Sequence, residues 1–371
     1  MLVGFKTQLQ PNNKQRSLFL QHSGTARHAW NICLSGIKSI LEHNKTHPDN
    51  KLKLPSSVDL HKWLVAVIKR DYPWYYEVSK CAPQQAIRHL SNSVSDFFKK
   101  KKISGKTVGF PSYKKRGRKD SFYLDGSIKT DNFAIQLPRI GWVRTYERLP
   151  QGITPKNVTV SRKADKWFVS FKVEIPEEIT TKTRKVVGID LGVKNLATLS
   201  TGEVIEGVKS YRKYEKKLAR LQYLARKKEK KSKNRAKANL VIAKLHLKIA
   251  NMRNNELHKL TSYLAKNHSK IVIEDLNVSG MMQNHKLAKA IQDMGFYEFR
   301  RQLDYKSKLY GSEVVTVNRF YPSSKTCSNC DVVKKELELG ERIFKCEACG
   351  FEIDRDLNAS INLEKAGSSS V

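Results

Sequence analysis

Apolar residues recur along this chain in two rhythms, and the switch between them outlines its architecture. Val3, Phe5 and Leu9 fall on spaced positions of residues 2–9 and predict one strand. Pro11-Asn12-Asn13 follows with helix-capping chemistry, and Leu18, Ala26, Trp30, Ile37 and Ile40 continue a helical stripe. A second helix is predicted from about Ser57, carrying Leu60, Leu64 and Val67, and a third over 82–101, with Ala86, Leu90, Val94 and Phe97 on one face. Strands then return. Residues 157–161 and 166–173 alternate as a hairpin with its turn near Lys163-Ala-Asp165. Strand 2–9 has no local partner, so it is expected to pair with these later strands in a small barrel, with the helices as an excursion from it.

A new domain is expected from about Ile179. It contains short buried strands at 186–189 and 196–200, a turn at Thr201-Gly202, and a long helical stretch over 208–265 that breaks near 227–237. Strand 270–274, a helix around 288–310 and strand 313–318 lead to a cysteine-rich segment. A last helix is expected from about Asp356, ending before Gly367, with 367–371 as a disordered tail. No internal repeat is visible.

Charge narrows the class. Lys and Arg number 70 against 35 Asp and Glu, for a net charge of +35. Such an excess repels itself unless a polyanion neutralises it, and nucleic acid is the polyanion expected. The charge is also clustered. Residues 99–119 hold ten Lys or Arg and no acid, interleaved with Phe110, Pro111 and Tyr113, so that cations and stacking faces lie together. Residues 208–238 hold fourteen Lys or Arg and two Glu, while Leu218, Leu221 and Leu224 or Ala225 keep helical spacing for packing. No run approaches a membrane span, the N-terminus does not read as a signal peptide, and lone Cys33 and Cys81 suit buried thiols in a reducing cytosol.

Two constellations carry chemistry. Cys327-x2-Cys330-x15-Cys346-x2-Cys349 has the spacing of a zinc ribbon, and four thiolates would close the shell of one structural zinc ion. Asp190 and Glu274 each end an apolar run, and Asp354-Arg-Asp356 follows the cysteines. An acid after a strand often only caps the next turn. Three acids delivered to one end of a sheet can instead hold two divalent ions for phosphodiester hydrolysis, and hard oxygen donors select Mg2+, with Mn2+ possible. Asp356, which begins a helix, is preferred as the third ligand; Asp354 is left as a cap or a supporting partner. The histidines show no metal spacing, and no Walker-type phosphate loop is present.

Four segments resemble the TnpB (OrfB) family of transposon-encoded proteins: Gly188-Ile-Asp-Leu-Gly-Val-Lys-Asn-Leu-Ala197, Ile273-Glu-Asp-Leu-Asn277, Tyr321-Pro-Ser-Ser-Lys-Thr-Cys327 and Asp354-Arg-Asp-Leu-Asn-Ala359. Gly109-Phe-Pro-Ser-Tyr113 and the N-terminal helical region are similar too, so the likeness spans nearly the whole chain. One departure is Asp331-Val-Val after Cys330, where the family usually has Gly.

The resemblance implies RNA-guided DNA endonucleases related to compact type V CRISPR effectors. It implies a multidomain α+β fold: a wedge β-barrel (1–10 and 102–178), a helical recognition lobe (11–101), an RNase H-like RuvC nuclease domain (179–324 and 351–366) and an interrupting zinc ribbon (325–350). It further implies Asp190, Glu274 and Asp356 as the RuvC triad, a guide RNA from the transposon end, and target double-stranded DNA read beside a short adjacent motif. Gln84 and Gln85 are candidates for reading that motif. No membrane or small-molecule partner is expected, the location is cytoplasmic, and the oligomeric state is left open. A guided DNA binder that does not cut, and a nuclease trimming its own guide RNA, are the alternatives.

Overall fold

The computed structural model describes residues 1–104, 109–338 and 340–368, which form two compact units, Leu2–Ile175 and Pro176–Val371 with Met1. Among the described residues no helix is long and apolar enough to cross a membrane.

In the first unit, strand β1 (Leu2–Gln10) is followed by helices α1 (Asn13–Thr46), α2 (Ser57–Trp63), α3 (Lys69–Asp71) and α4 (Cys81–Ser104). Asn12 and Gln15 close a reciprocal capping box at the start of α1, satisfying two backbone donors at once. The helix after Ser57 departs from expectation. A π-helical turn over Leu64–Ile68 widens the repeat, so Leu60, Leu64 and Ile68 are buried while Val67 is exposed.

Six strands follow: β2 (Ser121–Asp125), β3 (Lys129–Asp131), β4 (Ala134–Leu137), β5 (Gly141–Thr145), β6 (Asn157–Lys163) and β7 (Lys166–Glu174). The expected β6–β7 hairpin is present, and β1 runs antiparallel to β7 along its length, from Leu2 opposite Glu174 to Leu9 opposite Trp167. The expected closed barrel is not formed by the strand pairing. The order is β2-β6-β7-β1-β5-β4-β3, open at both ends, and three-residue β3 pairs with β4 alone. The inner face is covered by helices rather than by closure: Phe19 and Ala26 of α1 and Ala82 and Ala86 of α4 join Leu124, Val143, Val160 and Val169 in one core.

The second unit holds β8 (Arg184–Asp190), β9 (Ala197–Leu199), β10 (Val204–Ile205), α5 (Ser210–Arg226), α6 (Lys233–Asn267), β11 (His268–Glu274), α7 (Val278–Met281), α8 (Ala288–Met294), α9 (Phe296–Tyr310), β12 (Glu313–Val317), the β13–β14 pair (Ile343–Lys345 and Glu352–Asp354) and α10 (Arg355–Ser368). Its sheet has the order β10-β9-β8-β11-β12, with β8, β11 and β12 parallel and β9 and β10 antiparallel.

The helix expected around 288–310 is two. Gly295, at φ 76°, ends α8 in the left-handed region that favours glycine, and α9 starts anew. The last helix runs through Gly367 to Ser368, because Gly367 is buried against Val272 where a side chain would collide. Residues 369–371 of the expected tail, like residues 105–108 of the basic segment, lie outside the described residues.

Candidate metal centres

Strand alternation decides where the acids go. Val187, Ile189, Ile271 and Ile273 lie in the core built with α6, α8 and α9. Successive residues of a strand face opposite ways, so Gly188, Asp190, Val272 and Glu274 face the other side of the sheet. That side carries α10. A Cβ on Gly188 would run into the carbonyl of Ser360 and the backbone of Glu364, and Gly367 lies equally close to Val272. Two glycine contacts thus seat one helix across β8 and β11. Parallel register, with Ile189 opposite Ile273, then brings Asp190 and Glu274 side by side at the strand ends.

The start of α10 separates the two candidate third acids. Asp354 Oδ1 accepts from the N–H of Asp356 at 2.9 Å and of Leu357 at 3.1 Å, the bonding of an N-cap. Asp356 stands in the first turn, where the helix dipole favours negative charge. The carboxyl of Asp190 is pushed up to about 7, chiefly by burial and then by the charges of Glu274 and Asp356, which outweigh that of Arg355. The Ser323 hydroxyl donates to Glu274 Oε1 at 2.6 Å.

This donor set offers only oxygen, and it carries an electrostatic cost that a hard cation would relieve, so it fits a divalent metal. The acids do not meet as tightly as the thiols: among the described residues, Cys327, Cys330, Cys346 and Cys349 are the one group of three or more ligating side chains whose atoms all lie within 4.8 Å.

The cysteines match zinc closely. Cys327 Sγ stands 3.7 Å from Cys349 Sγ and Cys330 Sγ 3.6 Å from Cys346 Sγ. A tetrahedral ion with its usual bonds to sulfur spaces thiolates by about 3.8 Å, whereas a disulfide requires about 2 Å. Phe344, fully buried, packs beneath the cluster.

Sequence reading missed the residues that join the two centres. Asn358, buried on α10, accepts from the N–H of Ser328 at 2.9 Å and donates to the carbonyl of Thr326 at 2.7 Å. Asn362, one turn later, donates to the carbonyls of Ser323 at 2.8 Å and Thr326 at 2.6 Å. The i, i+4 asparagine spacing on an otherwise apolar face was the available signal. Arg300 and Arg319, both bonded to Asp275, were also not foreseen.

The basic stretch over 208–238 forms the arms and turn of the α5–α6 hairpin. Leu218 and Ala225 are buried and Leu221 packs against Leu218 and its partners on α6, while Leu224 is exposed. In the first unit, Phe110 packs edge-on against Phe97 at 5.0 Å, leaving exposed Tyr113, under Lys38 at 4.3 Å, as the available stacking face of that pair. Gln84 and Gln85 are half-buried on α4, and the Gln85 amide lies 3.0 Å from His89 Nε2.

Comparison with known proteins adds the following. Residues 170–285 match the OrfB_IS605 model, "Probable transposase"; residues 296–363 match "Cas12f1-like, TNB domain"; residues 1–46 match the HTH_OrfB_IS605 "Helix-turn-helix domain". The chain is 35% identical over 388 residues to "Putative RNA-guided DNA endonuclease InsQ" of Escherichia coli (strain K12), covering 99% of this chain and 92% of that protein. It is 35% identical over 369 residues to "Putative RNA-guided DNA endonuclease" of Streptomyces pristinaespiralis, covering 98% and 89%. A solved structure described as "Cryo-EM structure of the Cas12f1-sgRNA-target DNA complex" aligns over 93% of this chain and 82% of its own, with a TM-score of 0.57 at 16% identity.

Proposed function

The chain belongs to the TnpB (OrfB) family, and on that premise we propose that it is an RNA-guided DNA endonuclease with a single metal-dependent centre at Asp190, Glu274 and Asp356. Relatives at 35% identity over nearly their whole length bear that functional name. The observation that carries the assignment is the parallel register that sets the buried Asp190 carboxyl beside Glu274 at the strand ends, with Asp356 near enough on α10 to raise the Asp190 pKa. Like charges gathered at that cost are what a cation site requires.

Asp190, Glu274 and Asp356 would hold two Mg2+ ions, with Mn2+ as a substitute. Bound there, the ions would supply an activated water and stabilise the leaving oxygen. Glu274 is oriented by the Ser323 hydroxyl, and Asp354 caps α10 so that Asp356 keeps its place. The sheet order β10-β9-β8-β11-β12 supports reading 179–324 and 351–366 as an RNase H-like RuvC domain, with 325–350 as its zinc ribbon holding one structural Zn2+. Residues 1–10 and 102–178 would form the wedge and 11–101 the recognition lobe. Guide RNA would neutralise basic surfaces such as the α5–α6 hairpin. Base pairing would choose the target, and the protein would read a short motif beside it.

Asp190→Ala tests the centre: target cleavage should fall at least about a thousandfold while guide RNA still copurifies. Cleavage at the wild-type rate in that variant would disprove the assignment. Binding of guided target by the wild type with no Mg2+-dependent cleavage would favour a binder that does not cut, and cleavage of precursor RNA alone would favour a guide-trimming nuclease.

A further inference from the structure

Beside Glu274 a cleft of about 440 Å3 opens, lined by Glu274, Tyr297, Arg300 and Arg319, with Leu191 and Phe296 among its apolar walls. Two aromatic rings are displayed on the segments that carry these arginines. Tyr297 is 72% exposed on the first turn of α9, and Phe320, which follows Arg319 in the chain, is 86% exposed. Tyr297 and Arg300 are three residues apart on one helix and share a face. Phe320 is not presented by a slack loop: its N–H donates to Asn318 Oδ1 at 2.9 Å, and the N–H of Tyr321 donates to the Asn318 carbonyl at 2.9 Å.

Asp275 holds the two cations that go with these rings. Arg300 Nη1 donates to Asp275 Oδ1 at 3.0 Å and Arg319 Nε to Oδ2 at 3.1 Å. The arrangement keeps two mutually repelling guanidiniums together with a net positive charge, and each guanidinium has further N–H donors for a phosphate. An isolated exposed aromatic needs no explanation. Here one exposed ring, two anchored arginines and a carboxylate of the acid site line one cleft, and a second exposed ring sits on the residue after Arg319. Rings offer stacking faces to bases and guanidiniums offer forks to phosphates, a combination that suits a single strand, whose base faces are open, better than a duplex.

We propose that Tyr297 and Phe320 form a base-stacking platform that, with Arg300 and Arg319, holds single-stranded DNA on the Glu274 side of the acids. The proposal rests on the endonuclease reading for its choice of DNA, and it assigns these four side chains a positioning role.

The test uses the full chain with its copurified RNA, with no Mg2+ or Mn2+ added and no chelator, so that no cutting is read and the cysteine cluster keeps its metal. The probe is a twelve-nucleotide oligodeoxythymidine carrying one 2-aminopurine, whose fluorescence is quenched by stacking. Wild type should quench it. The Tyr297→Ala/Phe320→Ala double variant should lose most of that quenching and bind roughly tenfold more weakly for each ring removed. Tyr297→Phe and Phe320→Trp should restore both, and unchanged melting temperatures would show that the fold is intact. A double variant that quenches and binds like wild type overturns the proposal, as does tighter, ring-dependent binding of the matching oligoribonucleotide. If the wild type quenches through these rings yet never cuts with Mg2+, the endonuclease reading fails and the platform stands.

Discussion

The two candidate metal centres are built by opposite strategies. The cysteine cluster is a local object: each Cys-x2-Cys turn brings its own pair of thiols, and the four sulfurs already lie within 4.8 Å of one another. The acid site is a long-range object. Asp190 and Glu274 come from different strands and Asp356 from a helix that follows the cysteines, and they share a face because of strand register and the two glycines under α10. The first centre is set largely by its own two turns; the second depends on packing between distant segments. Asn358 and Asn362 couple them, since the helix that carries Asp356 is tied to the segment entering the cysteine cluster.

The sharpest way to test this contrast is to compare neighbours at the start of α10. Asp356→Ala should remove cleavage, at least about a thousandfold, whereas Asp354→Ala should cost only the cap, about 1 kcal/mol of stability and less than about tenfold in rate. Calorimetry and single-turnover cleavage check both, and equal losses of activity would show that the two acids share the ligand role. Next in size, Cys346→Ser should lose the one zinc per chain in metal analysis. It should also slow cleavage by about 10- to 100-fold, on the order of the loss when a metal site's supporting contacts are removed. Full activity without zinc would break the coupling through the asparagines.

Gly188→Ala puts no new charge anywhere, yet the added Cβ meets the α10 backbone. It should destabilise the chain by about 1–3 kcal/mol, as overpacking does, and slow cleavage with it. A melting temperature equal to wild type would mean that α10 is not seated on β8 as described. A further check is a pH dependence in protein free of Mg2+. Asp190 titrates near 7 in the fold against 3.8 for the free side chain, so its contribution to stability is complete below about pH 4 and is lost as pH rises toward 7. Asp190→Asn removes that loss and should gain on wild type between pH 4 and 7 in thermal melts; parallel profiles would refute the shift.

Periodic elements were the most legible. The β6–β7 hairpin, α1 with its cap, α4 and the parallel strands under Asp190 and Glu274 all lie where their apolar spacing places them. The departures share a cause. Val67 leaves the buried stripe in favour of Ile68 where a π turn widens the repeat, and Gly295 divides a continuous apolar pattern through one backbone angle. Neither event changes which residues are hydrophobic, so periodicity is blind to both. Barrel closure was invisible for a related reason: alternation says that a face is covered, not whether helices or other strands cover it.

By itself the chain determined its positive charge, the four-thiol spacing and the identity of the acids, because these are properties of residue type and of short covalent distances. Tertiary structure decided what is shared: that Asp190 and Glu274 face the same way, that Asp354 caps while Asp356 is carried in the first turn of the helix, and that Arg300 and Arg319 converge on Asp275. Those outcomes depend on strand register and on how closely α10 approaches the sheet, and both are set by packing between segments far apart in the chain.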